Sequence, residues 1–208
     1  MSGLKLRPRA LPLALLALVW CAGGCGRRET PVEAGNRAQI LHRGIGYEVT
    51  ELDPHLVTGV AEGNVLRALF EGLVTEHPED LRPVPGVAER WDISPDALVY
   101  TFHLRADAQW SNGDPVTADD FVQSYRRMIT PALGAEYSYM LWHVVGAEDY
   151  NKSKLTDFSK TGFKAVDPRT LQLTLRQATP MILLLCDVAR APLDRLTQEM
   201  RILDREIA

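Results

Sequence analysis

The chain is poor in cysteine, with Cys21, Cys25 and Cys186 as its three. Cys21 falls inside an apolar leader and Cys25 at its border, so neither a disulfide framework nor a zinc spacing can be assembled. Cys186 follows the apolar run Ile182–Leu185 and reads as a buried core thiol. Histidine is sparse too. His42, His55, His77, His103 and His143 include no i, i+4 pair, and none has a cysteine at ligand spacing. No G-x-S-x-G turn is present. Gly44 and Gly46 lack the third glycine and the following helix of a dinucleotide loop. Asp119 and Asp120 stand where a helix begins, and suit its dipole better than acid–base work. Beyond the leader the chain carries 20 basic and 27 acidic side chains and no basic stripe, which argues against a nucleic-acid partner. These absences point away from an enzyme and imply no cofactor.

What is present centres on Asp96 to Arg127. Leu98, Tyr100, Phe102 and Leu104 alternate with Val99, Thr101 and His103, the period of a half-buried strand. Ser111-Asn112-Gly113-Asp114-Pro115 reads as a turn, with Asn-Gly supplying the positive φ. Thr117 then caps a helix, with Asp120 three residues on, and Phe121, Val122, Tyr125 and Met128 recur at helical spacing. The strand face is expected to pack on this helix.

The leader has its own pattern. Lys5, Arg7 and Arg9 precede an apolar stretch, Ala10 to Trp20, too short to span a bilayer comfortably. Ala22-Gly23-Gly24 then precede Cys25 in the manner of a lipobox, with Ala22 where the usual pattern has leucine. Residues 1–24 are therefore expected to be a lipoprotein-type signal peptide, with Cys25 lipidated. Residues 25–37 are polar without an apolar period and read as a flexible tether.

Further on, a strand is expected from Ala38 to His42, and a helix from about Glu62 to Gly72 with Val65, Leu66, Leu69, Phe70 and Leu73 inward. Pro83 and Pro85 exclude a helix, and Val87 and Trp91 are expected on the core. Tyr137 to Tyr150 reads as one helix with Met140, Leu141, Val144 and Val145 buried, and 151–161 as a polar loop. Phe163–Val166 and Thr170–Arg176 flank the turn Asp167-Pro168-Arg169, and a short helix is expected from Pro180.

Tyr100-Thr101-Phe102-His103-Leu104-Arg105, followed by Ala108 to Phe121 (AQWSNGDPVTADDF), strongly resembles the signature of the extracellular solute-binding proteins of family 5. These are the oligopeptide- and dipeptide-binding subunits of ABC importers. Leu52-Asp53-Pro54-His55, Leu69 to Leu73 (LFEGL) and Pro85 to Trp91 (PGVAERW) fit the same family. The resemblance implies an α/β, type II periplasmic-binding-protein fold, incomplete in 208 residues. The first strands and helix of the large lobe would occupy 38–70, a small mixed α/β domain 71–190, and a truncated return toward the large lobe 191–208.

In that family the extended segment after the L-D-P-H run lines a cleft between lobes and pairs with peptide backbone like an added strand. By position this implies Thr58, Gly59 and Val60 as ligand-binding residues, with Gly59 letting another chain approach closely, and Tyr137 as a cleft-facing tyrosine. The implied partners are an oligopeptide, ABC permease subunits, and a membrane reached through the Cys25 lipid. The implied location is exported, periplasmic or cell-surface. A lone N-terminal portion would bind weakly. A stand-alone scaffold domain, or a relative with a non-peptide ligand, remain the alternatives.

Overall fold

The computed structural model describes residues 29–40, 44, 46–179 and 181–183. The leader, Cys25, Cys186 and residues 191–208 lie outside them, as does Pro180, where the last helix was expected to start. The chain divides into residues 1–44 and 45–208.

In the first unit, helix α1 spans Pro31–Ala38. This corrects two expectations, an irregular tether through residue 37 and a strand from Ala38. The physical reason is a capping box with proline at the first position. The Glu33 N–H donates to Thr30 Oγ1 at 3.2 Å, and the Thr30 N–H donates to Glu33 Oε2 at 2.9 Å. The helix closes where a strand was expected. Gln39 takes φ 57°, and the Ile40 N–H returns to the Gly35 carbonyl at 2.8 Å.

The second unit begins with α2, Val60–Leu69. It starts two residues earlier than expected and ends before Gly72, because Phe70 already turns extended. Leu66 is buried, but Leu69 is 51% exposed, and the buried Leu73 belongs to the extended chain that follows. Strands β1 (Val74–Glu76) and β2 (Pro83–Pro85) form a two-stranded ribbon. Strands β3 (Ala88–Ile93), β4 (Val99–Leu104), β5 (Phe163–Asp167) and β6 (Thr170–Thr174) form an antiparallel sheet in the order β3-β4-β6-β5.

Pairing explains the core. Tyr100 lies opposite Leu173 and Phe102 opposite Leu171, so their side chains share a face. Helix α3, Ala118–Ile129, covers that face with Phe121, Tyr125, Met128 and Ile129, all buried. Tyr125 tilts onto Phe163 with ring centroids 5.0 Å apart. The expected cap is present. The Asp120 N–H reaches Thr117 Oγ1 at 3.4 Å, and the Thr117 N–H reaches Asp120 Oδ2 at 2.8 Å. Gly113 supplies the positive φ of the preceding turn, at 87°. On the wet face of the sheet, His103 Nε2 meets Asp92 Oδ2 at 2.7 Å.

The helix expected over Tyr137–Tyr150 is a further correction. A 3-10 segment covers Glu136–His143, the chain then extends, and α4 covers Ala147–Asn151. The break has a backbone cause. The Val145 N–H donates to the Thr174 carbonyl at 2.9 Å, and the Arg176 N–H to the His143 carbonyl at 3.0 Å. Residues 143–145 thus extend the sheet instead of continuing a helix. Gly162 permits this, because a Cβ there would collide with the Thr174 carbonyl.

Phe102 is fully buried at the centre of this core. Phe102→Ala should cost about 3–5 kcal/mol, from lost transfer energy plus a cavity. Chemical denaturation checks this, and an unchanged midpoint would refute the packing.

Candidate functional site

The residues after β-poor Tyr47–Glu51 build a turn with a carboxylate at its head. The Leu56 and Val57 N–H groups both return to the Asp53 carbonyl at 3.0 Å, and the His55 N–H donates to Asp53 Oδ1 at 3.0 Å. The Asp53 side chain then receives Arg127 from α3 in a two-point grip, Nη1 to Oδ1 at 2.9 Å and Nη2 to Oδ2 at 2.6 Å. Burial by itself would raise the Asp53 carboxyl. The Arg127 hydrogen bond, the His55 N–H and the guanidinium charge outweigh it and hold Asp53 below its ordinary value.

Arg127 Nη1 also lies 2.7 Å from His55 Nδ1, and His55 Nε2 lies 3.0 Å from Ser124 Oγ. A guanidinium can only donate. Nδ1 is therefore the acceptor, the proton sits on Nε2, and the imidazole donates to Ser124. His55 is 2% exposed and Ser124 fully buried, so this bond lies out of water.

Beyond His55 the chain runs extended into α2. Among the described residues no hydrogen bond engages the Thr58 N–H, the Thr58 carbonyl or the Gly59 N–H. Thr58 is exposed, and Val60 is 78% exposed. This edge therefore leaves two backbone donors and one acceptor unengaged among the described residues, while the Gly59 carbonyl already accepts from the Gly63 N–H at 3.0 Å.

The edge forms one wall of a cavity of about 310 Å³. Thr58, Gly59 and Val60 line it together with His55 and Val57, and α2 adds Leu66 and Arg67. Met128 from α3 and Tyr137 and Met140 from the 3-10 segment line it as well. Tyr137 is half-buried and edge-on to Tyr139, centroids 6.2 Å apart. All four residues singled out in the sequence, Thr58, Gly59, Val60 and Tyr137, thus surround one space. A second cavity, about 240 Å³ around Trp110, contains Arg105. That guanidinium already pairs with Glu71 at 2.7 Å.

Gly59 differs from expectation. A Cβ on it would strike the Glu62 carboxylate, with the Tyr47 hydroxyl 3.0 Å away. The Cβ position that Gly59 leaves open is occupied by a side chain of its own helix. Glu62 is buried. Its own backbone N–H, the Tyr47 hydroxyl at 3.0 Å and Thr50 favour the charged form, and outweigh the desolvation that opposes it. The Asp53–His55–Ser124–Arg127 network was missed in the sequence. Its partners stand 69 to 74 residues apart, and only the run Leu52-Asp53-Pro54-His55 pointed to the turn.

Comparison with known proteins places this geometry. The model for bacterial extracellular solute-binding proteins, family 5 Middle, matches residues 82–200. The periplasmic oligopeptide-binding protein OppA of Escherichia coli is 47% identical over 146 residues, which are 68% of this chain and 26% of that protein. The dipeptide-binding protein DppE of Bacillus subtilis is 36% identical over 179 residues, 82% of this chain and 32% of that protein. The crystal structure of Haemophilus influenzae OppA in complex with RPPGFSPFR superposes with a TM-score of 0.69 at 38% identity, covering 74% of this chain and 31% of that one. The chain thus spans about a quarter to a third of the length of these proteins.

The depressed Asp53 carboxyl sets a pH dependence. Its contribution is present above the unfolded value of 3.8 and is lost as pH falls through the lower folded value. Asp53→Asn should destabilise by about 1–3 kcal/mol near neutrality, as loss of hydrogen bonds to a charged group does. The gap to wild type should begin to narrow as pH falls below about 4. Urea midpoints from pH 3 to 7 check this, and a pH-independent gap would refute the ion pair.

Proposed function

The chain belongs to the bacterial extracellular solute-binding proteins of family 5, and on that premise we propose that it serves in the solute-binding subunit of an ABC-type oligopeptide importer. Its mixed α/β unit is part of the periplasmic-binding-protein fold. The observation that carries the proposal is the extended stretch at Thr58, whose N–H and carbonyl, with the Gly59 N–H, are unengaged among the described residues and which lines one cavity together with Tyr137. An extended peptide pairs with such an edge through its main chain, which ignores side-chain identity. That suits capture of mixed peptides, with no covalent chemistry and no cofactor. Relatives named as oligopeptide- and dipeptide-binding proteins support the ligand class.

In this assignment residues 38–70 belong to a large lobe and 71–190 to a small domain. Ligand is held by closure of two lobes, followed by docking on the permease. Export follows the leader at 1–24, and a lipid on Cys25 ties the protein to a membrane. The two proposals separate cleanly in the laboratory. Wild type should fractionate with membranes and Cys25→Ser should not. Equal solubility of the two would remove the anchor and leave the binding site untouched.

For these 208 residues alone, a few edge hydrogen bonds contribute about 0.5–1.5 kcal/mol each, while association costs roughly 4 kcal/mol or more. A dissociation constant of about millimolar or weaker follows. A tri- to pentapeptide pool titrated into the full chain should move the amide resonances of Thr58, Gly59 and Val60 and the ring signals of Tyr137. Silence at all of them would remove the site. Micromolar affinity would show that an opposing lobe is unnecessary.

A further inference from the structure

We propose that Arg127 is a positioning residue for ligand capture, which touches no peptide but fixes where the backbone groups of Thr58 and Gly59 point. The proposal rests on the peptide-binding assignment above. One guanidinium meets three acceptors, both Asp53 oxygens and His55 Nδ1. Asp53 heads the turn whose carbonyl accepts from Leu56 and Val57. His55 lines the cavity. Arg127 is absent from the cavity lining, and the side chains it grips are these two residues.

The edge has little else to define it. Thr58 lies three residues past His55, and no sheet ladder among the described residues holds it. Its placement is inherited from the turn on one side and from the start of α2 at Val60 on the other. The turn is clamped to α3, which the core makes rigid through Phe121, Tyr125 and Met128. A salt bridge on an exposed surface would contribute little and position nothing. Here the Asp53 side chain is 11% exposed and that of Arg127 26%, and the same cation also dictates the imidazole tautomer. Lysine cannot reproduce the arrangement. Its ammonium is a point donor, whereas two carboxylate oxygens and a ring nitrogen demand a planar fork.

The test uses Arg127→Gln and Arg127→Lys in the full chain, with Phe102→Ala as a destabilised control remote from the edge. In free protein, both Arg127 variants should shift the Gly59 and Val60 amide resonances. With the tri- to pentapeptide pool, the initial slope of the titration should fall at least tenfold in both, while Phe102→Ala keeps its slope within twofold of wild type. A lysine variant with wild-type resonances and slope would overturn the proposal. So would a Phe102→Ala slope reduced as far as that of Arg127→Gln, because the role would then be general stability. Should wild type itself ignore peptide, the free-protein spectra still decide. Unmoved Gly59 and Val60 resonances in the Arg127 variants would overturn the positioning role. Moved ones would uphold it while the peptide assignment alone falls.

Discussion

Burial of one capped helix against the four-stranded sheet is the constraint on which the rest of the molecule depends. Helix α3 spends Phe121, Tyr125 and Met128, at i, i+4 and i+7, on the core. Ser124 and Arg127, three apart, form a second row aimed at the Asp53–Leu56 turn. The 3-10 segment is tied to the same helix. Asn151 Nδ2 donates to the Ile129 carbonyl at 3.0 Å, and its oxygen accepts from Trp142 Nε1 at 3.2 Å. Trp142 sits in the 3-10 segment that carries Tyr137. The turn and the 3-10 segment thus both hang from one helix, the first through His55, which lines the cavity, and Asp53, the second through Asn151 and Trp142, which do not line it.

This arrangement reconciles order with an unpaired edge. Backbone groups left without partners in a dry interior would be costly. At Thr58 they are exposed to water, so the free edge costs little. In the proposed role a peptide would exchange water for its own backbone here, with a small net gain per bond. Met128 and Met140, which line the same cavity, add apolar surface that can adapt to different side chains. Under that proposal, tolerance and modest affinity would come from the same physics.

Local patterns in the sequence carried the central unit well. The alternation from Leu98 to Leu104, the Asn-Gly turn, the Thr117 cap and the 163–176 hairpin all depend on neighbours within a few residues. So did the α1 capping box, which was legible at Thr30 and Glu33 but was passed over because the stretch is polar, with Val32 70% exposed. The error at 137–150 is of another kind. Helical spacing of Met140, Leu141 and Val144 is real, but backbone pairing with residues 174–176 overrides it, and no local signal reports a partner that far along the chain. The four residues implied by the resemblance line one cavity. The network that steadies them is built from contacts some 70 residues apart and had no local trace beyond the turn itself.

Gly59 lines the cavity, and the structure gives a local reason for a glycine there. In a strand that accepts a partner, glycine suggests room for the partner's backbone. Here φ is −79°, an ordinary value, so no left-handed conformation calls for glycine. The constraint is the Glu62 carboxylate, folded back over the start of α2 and bonded to Tyr47. A charge at the first turn complements the helix dipole, and a side chain at Gly59 would have to displace it. Glycine at this position therefore protects the beginning of α2, and through it the end of the edge. The turn fixes the edge from one side through Arg127, and Glu62 fixes it from the other. Substitutions at Gly59 would thus perturb the scaffold as well as the proposed peptide edge, whereas the exposed Thr58 side chain, which meets neither anchor among the described residues, is where the proposed contact can be varied with the scaffold intact.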